Sequence, residues 1–178
     1  MSGHDADLAI FDELAAANDA YAREGGHHMV PVAPSRHLAV VTCMDARIDV
    51  FAVLGLELGD AHVIRNAGAR VTDDVLRSLA LSTHLLHTRS VALIAHTNCG
   101  VLDPAGTIDE RLAATMGRAP AGREWGTFRD PREALREDAR TLLEWPDRPD
   151  GFGLAAYLFD VETGALEQVV APEAAPPV

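Results

Sequence analysis

"HLAVVTCMDAR", residues 37 to 47, opens as a short apolar run and stops in charge. The run Leu38 to Thr42 is rich in β-branched residues and does not alternate with polar ones, the pattern of a strand covered on both faces in a parallel sheet. "AHVIR" (61 to 65) and "VALIAH" (91 to 96) repeat that pattern. Between the first two, residues 48 to 54 end at Gly55, a residue suited to the left-handed stop of a helix. Between the second and third, Thr72 is expected to cap a helix whose Asp73 and Asp74 suit the positive end of its dipole. Val75, Leu76, Leu79, Thr83 and Leu86 follow at helical spacing. The order β-α-β-α-β implies an α/β fold, a mainly parallel sheet flanked by helices with right-handed crossovers.

Working outward, Asp130-Pro131-Arg132-Glu133 supplies an N-cap, a proline at the first helical position and an acid three residues after the cap. A helix is expected from there to about residue 143, with Leu135, Ala139 and Leu142 on one face, ended by Trp145-Pro146. "LAAYLFD" (154 to 160), a turn at 162 to 164 and "ALEQVV" (165 to 170) read as a hairpin. It would add an antiparallel C-terminal edge strand to a four-stranded sheet. "APEAAPPV" (171 to 178) reads as a loose tail, and a helix is expected near 108 to 116. Residues 5 to 24 read as an amphipathic helix with Leu8, Phe11, Leu14 and Ala15 on one face, stopped by Gly25-Gly26. Residues 1 to 26 thus form a helical arm on a single domain spanning 1 to 178.

A chain of 178 residues can bury one core without disulfide staples. Its longest apolar stretches run about five residues, against the roughly 20 that span a bilayer. The N-terminus starts acidic and lacks the basic and apolar regions of a secretory signal, so a cytoplasmic protein is expected. A formal charge of −12 repels nucleic acid and acidic membranes, so neither is expected as a partner. All the basic side chains are arginine. Two cysteines in a chain expected to stay inside the cell point to metal ligation or a reactive thiol rather than a disulfide framework.

Both cysteines fall at expected strand ends, where open parallel sheets bind ligands. Cys43 follows "HLAVVT"; His96 and Cys99 close and follow "VALIA". Two thiolates and an imidazole from two strand ends can hold zinc and leave one tetrahedral position open. Taken singly, Cys43 also fits a small buried hydrophobe, and Asp45 with Arg47 fits a solvated ion pair. In an extended segment Cys43, Asp45 and Arg47 would point to one side, into the same cleft. There a carboxylate can orient a metal-activated water while an arginine fork keeps that carboxylate ionised. His62, His84 and His87 fit surface or satisfied positions, and His27-His28 a solvated connector.

With these residues placed, the sequence resembles the β-class carbonic anhydrases, which carry C-x-D-x-R and, some fifty residues later, H-x-x-C. Here these are Cys43-Met44-Asp45-Ala46-Arg47 and His96-Thr97-Asn98-Cys99. The likeness extends through "HVIRNAGARVTDDVLRSL" (62 to 79) to "FDVETGALEQV" (159 to 169), and looks most like the small bacterial type. That branch also includes carbonyl sulfide and carbon disulfide hydrolases. The resemblance implies zinc held by Cys43, His96 and Cys99, with Asp45 and Arg47 as the catalytic dyad. It implies reversible hydration of carbon dioxide to bicarbonate by zinc-bound hydroxide. It also implies a closed state in some members, in which the residue matching Asp45 becomes the fourth ligand.

Ala67 and Gly68 in "RNAGAR" are expected to line the substrate pocket, with glycine letting backbone approach closely, and Arg65 and Asn66 to brace the same loop. The implied assembly is a homodimer or a dimer-based higher oligomer whose N-terminal helix embraces the partner. Two departures mark this chain. Asn98 stands where the members most like it carry Asp, and the glutamine and aromatic pocket residues of the larger plant-like members have no counterpart here. The rival readings are a carbonyl sulfide or carbon disulfide hydrolase on the same site, a non-catalytic zinc-binding module, and a redox pair of Cys43 with Cys99.

Overall fold

The computed structural model describes residues 8–25, 29–121 and 124–175. The chain divides into two compact units, Met1–Pro31 and Val32–Val178. The first unit contains helix α1, Ala9–Glu24, which stops at Gly25 and has no buried residue. Gly26, His27 and His28 lie outside the described residues, as do residues 5 to 7 of the expected arm.

The second unit is built on a five-stranded sheet of β1 (Leu38–Cys43), β2 (Ala61–Asn66), β3 (Ser90–His96), β4 (Gly153–Phe159) and β5 (Leu166–Ala174). Their order is β2-β1-β3-β4-β5. The first four strands are parallel and β5 is antiparallel to β4, the α/β architecture expected from the sequence. Helices α2 (Val50–Leu54), α3 (Asp73–His84), α4 (Ile108–Met116) and α5 (Pro131–Leu143) fill the connections. Helix α3 packs on β1 and β2, and α5 on β3, β4 and β5. Val40, Val41, Leu79, Leu93, Leu135, Leu142 and Phe152 form the centre of the core, each fully enclosed. β1 is buried along nearly its whole length, as its unbroken apolar run requires.

Local chemistry explains most boundaries. Asp130 caps α5 by accepting from the N–H groups of Arg132 and Glu133, and Gly55 ends α2 in the left-handed region. Thr72 occupies the N-cap of α3 without a side-chain bond, and α3 ends at His84, leaving Leu86 beyond it.

The stretch 171 to 178, expected as a loose tail, is instead sheet as far as Ala174. β4 starts at Gly153, so β5 has ladder to pair with up to Gly153↔Ala174, and Ala175 N–H donates to Phe152 O at 2.8 Å. Pro172 is accommodated because Leu154 pairs with Glu173 while Ala156 pairs with Val170, an irregularity of one extra residue in β5. A proline in such a bulge on an edge strand owes the ladder no N–H.

Candidate metal centre

The parallel register carries Cys43, at the end of β1, and His96, at the end of β3, to the same edge of the sheet, and Cys99 follows three residues later. Their ligand atoms all lie within 4.8 Å of one another. All three are buried. Both cysteines are free, with their sulfurs 4.0 Å apart. Two thiolates bound tetrahedrally to one zinc at the usual bond length of ~2.3 Å sit about 3.8 Å apart, so the pair already has the separation a shared zinc needs.

The imidazole supplies the sharper test. His96 Nδ1 lies 2.8 Å from Thr97 O; a carbonyl only accepts, so Nδ1 donates, and in the neutral ring Nε2 presents its lone pair. Nε2 is buried without a hydrogen-bond partner. A histidine held by a backbone carbonyl on one nitrogen, with the other aimed at two thiols, is the arrangement of a zinc ligand. The donor set fits the metal.

Electrostatics among these groups follow from the geometry. The Cys43 thiol is pulled well down, by its hydrogen bond with Cys99 first, then by His96 and the N–H groups of Gly68 and Asp45, against the cost of burial. Cys99 is pushed up by that same bond and by burial. Burial alone would lower His96, but the nearby Cys43 thiol and the Thr97 carbonyl outweigh this and raise it.

Asp45 and Arg47 meet beside this cluster through a turn, not through strand alternation as the sequence suggested. β1 ends at Cys43, and Ile48 N–H then donates to Asp45 O at 3.1 Å. Within the turn Asp45 Oδ1 accepts from Arg47 N–H at 3.0 Å and from Arg47 Nε at 2.9 Å, while Oδ2 accepts from Arg47 Nη2 at 2.7 Å. Arg47 Nη2 also donates to Asn98 O at 2.9 Å. These hydrogen bonds from Arg47 hold the Asp45 carboxyl far below the usual carboxylate range. Its Oδ2 stands 3.7 Å from His96 Nε2.

Asn98 takes part through its backbone. It adopts φ +52°, a left-handed conformation that Asn tolerates better than most residues, and so turns its carbonyl to Arg47. Gly68, at φ +84°, leaves no room for a side chain: a Cβ would lie 2.8 Å from Val101 Cγ2 and 3.1 Å from Phe128 Cε1. Ala67 lines a cavity of about 240 Å³ with Arg65, Asn66 and Trp125.

Arg65 donates to the carbonyls of Cys43, Asp45 and Ile48, and Asn66 holds the turn after it through both its amide groups, bonded to Arg70 N–H and O. Arg70 in turn ties this turn to α5 through Asp138, at 2.7 Å. Sequence reasoning did not find this last pair, because residues 68 positions apart carry no local signal. Of the other described histidines, the His62 ring pairs with Ser82 Oγ, that of His84 with Asp147 O and that of His37 with the His87 carbonyl, while His87 itself is exposed.

A carbonic anhydrase family model matches residues 38–120. Beta-carbonic anhydrase 1 of Mycobacterium tuberculosis is 41% identical over 164 residues, 91% of this chain and 99% of that protein. A carbon disulfide hydrolase of Saccharolobus solfataricus is 32% identical over 157 residues, 75% of this chain and 77% of the relative. Among solved structures, the carbonic anhydrase of Streptococcus mutans superposes with a TM-score of 0.82 at 38% identity, covering 89% of this chain and 96% of that one. The chain belongs to the β-carbonic anhydrase family.

Proposed function

We propose that the protein is a zinc-dependent carbonic anhydrase, converting carbon dioxide and water reversibly to bicarbonate. The observation that carries this reading is His96 Nε2, buried and without a hydrogen-bond partner, within 4.8 Å of two thiol sulfurs and 3.7 Å from the arginine-held carboxylate of Asp45. Cys43, His96 and Cys99 would hold the zinc. Bound there, zinc supplies the Lewis acidity that brings the pKa of water toward neutrality and makes it a nucleophile.

The rest falls to the chain's own groups. With Cys43, His96 and Cys99 as its protein ligands, the metal would have room for water as long as Asp45 stays with Arg47. Asp45 Oδ2, 3.7 Å from His96 Nε2, would accept a hydrogen bond from the attacking water and orient its lone pair toward substrate. Arg47 keeps that carboxylate ionised and therefore an acceptor only. Gly68 and Ala67 are assigned to the substrate pocket, where backbone and a methyl group leave space for a small apolar molecule.

The likeness to a carbon disulfide hydrolase favours one second reading, hydrolysis of carbonyl sulfide or carbon disulfide by the same machinery. Zinc analysis together with carbon dioxide hydration and sulfide release, measured on one sample, separates the two. Zinc with fast hydration supports the first reading. Sulfide release outpacing hydration transfers the assignment to the second, and zinc without turnover leaves a binding module.

We place the protein in the cytoplasm as a homodimer or dimer-based assembly. Among the described residues no helix is long and apolar enough to cross a membrane. Helix α1 buries none of its residues, and Phe11 and Leu14 are 63% and 59% exposed, which suits a helix awaiting a second copy. Sedimentation of a chain lacking residues 1 to 26 tests its part; an unchanged dimer removes the arm from the assembly.

A further inference from the structure

We propose that Arg65 is a positioning residue for the reaction, holding the 43–48 turn so that Asp45 stays in the grip of Arg47 and away from the metal ligands. The proposal rests on the carbonic anhydrase reading for its kinetic consequence and on geometry for the rest.

The 43–48 turn carries a ligand, Cys43, and the dyad, Asp45 and Arg47. It begins where the sheet ends: the ladder of β1 with β2 closes at Cys43↔Asn66. Beyond that pair one backbone bond to β2 remains, from Met44 N–H to Asn66 O at 2.9 Å, and Asp45 to Ile48 run past the end of the ladder. Arg65, opposite Thr42 in the register, reaches across this gap. Its Nε donates to Cys43 O at 2.8 Å, its Nη2 to Asp45 O at 2.6 Å and its Nη1 to Ile48 O at 3.2 Å. One planar fork thus ties the start, middle and end of the turn to β2.

Two arginines therefore divide the control of Asp45. Arg47 holds its carboxylate, and Arg65 holds its backbone. With the backbone loose, the carboxylate has only 3.7 Å between Oδ2 and His96 Nε2, a distance that a small rotation of the turn closes. Lysine cannot replace the fork, since a single ammonium does not reach three carbonyls spread over six residues. Arg65 also lines the 240 Å³ cavity whose wall includes Asp74 and Glu124, so a free guanidinium ion has an acidic route to the space left by truncation.

The test uses the full chain with Arg65→Ala and Arg65→Lys. Each is measured for zinc content, for carbon dioxide hydration per bound zinc, and for the visible spectrum of the cobalt(II)-substituted protein, which reports the ligand set directly. We expect both variants to keep zinc and fold, with kcat per zinc lowered about 10–100-fold, the usual effect of losing a group that orients a metal site. The cobalt spectrum should shift away from that of the native chain. Guanidinium at sub-denaturing concentration should restore part of the activity of Arg65→Ala and leave the native chain unchanged.

Native-like kcat per zinc and an unchanged cobalt spectrum in either variant would overturn the proposal, as would full activity in Arg65→Lys, which would reduce the role to charge. If Arg65→Ala does not fold, Arg65→Lys carries the test. If the native chain holds zinc and shows no hydration, the functional reading fails by itself, and the cobalt spectra still decide whether Arg65 sets the ligand set.

Discussion

Asp45 and His96 stand 3.7 Å apart, Oδ2 to Nε2, with no hydrogen bond between them. Asp45 is turned to Arg47 through both oxygens, and His96 to Thr97 O through Nδ1. Each residue is thus held from behind and presents its remaining functional atom to the same small space. That arrangement separates two jobs that a carboxylate beside a metal can do. Held by Arg47 it would orient water; released, it would be free to serve as a fourth ligand in the place water needs.

Asp45→Asn should keep zinc and lose turnover. The three ligand side chains are untouched, but a neutral amide no longer forms the charge-assisted fork with Arg47 and presents N–H groups where only an acceptor works. Activity per bound zinc is expected to fall by about 10–100-fold, the range seen when a metal site loses an orienting partner. Stopped-flow hydration with parallel zinc analysis measures both, and unchanged turnover would remove Asp45 from the mechanism.

Removing the metal should lower stability as well as abolish activity. Buried His96 Nε2 has no other partner, and the paired thiols sit at ligand spacing, so zinc binds the folded chain far better than the unfolded one. By linkage, free zinc at 100 times its Kd adds about 2.7 kcal/mol. Melting with chelator and with excess zinc should give clearly separated midpoints, and His96→Ala should bring them together. Equal midpoints in the native chain would mean that the site contributes nothing to folding.

The fold was legible because its signals are local. Apolar runs set β1, β2 and β3, Asp130-Pro131 set the start of α5, and the motif spacing placed both cysteines at strand ends. What sequence could not give was whatever depends on register or backbone angle. The Asp45–Arg47 pair was expected from strand alternation and arises from a turn. Asn98 looked like a lost carboxylate, yet what the site uses is its carbonyl, aimed by a left-handed φ. The bracing by Arg65 was anticipated only as a loop contact, since its three acceptors are fixed by the pairing of β2 with β1. The end of β5 was missed because Pro172 argues against a strand until the bulge that admits it is seen.

Gly68→Ala should destabilise the fold. The new Cβ meets Val101 Cγ2 at 2.8 Å, and the residue sits at φ +84°, which an L side chain rarely adopts. Overpacking and strain of this kind cost about 1–3 kcal/mol, which for a domain of this size is a drop in Tm of roughly 3–10 °C. Adding Val101→Ala should recover the part due to the clash and leave the part due to φ. Thermal melts of the single and double variants separate the two, and a Gly68→Ala Tm equal to that of the native chain would contradict the crowding.

Asp103 makes acid stability the last prediction. Buried at the start of α4, its Oδ1 accepts from Thr107 N–H at 2.9 Å and its Oδ2 from Ile108 N–H at 3.0 Å. The Thr107 N–H first, and the Ile108 N–H after it, hold the carboxyl below its ordinary value against the cost of burial. A carboxylate whose folded pKa is depressed contributes stability that is fully present above the unfolded value of about 3.9 and is lost as pH falls through the folded value. Asp103→Asn removes that contribution, because an amide has one acceptor oxygen for two backbone donors and does not ionise. The variant should therefore melt below the native chain at neutral pH, with the gap narrowing once the pH drops below about 4. Denaturation curves at neutral pH and at successively lower values measure the gap directly, and a difference independent of pH would show that the Asp103 charge does not support the start of α4.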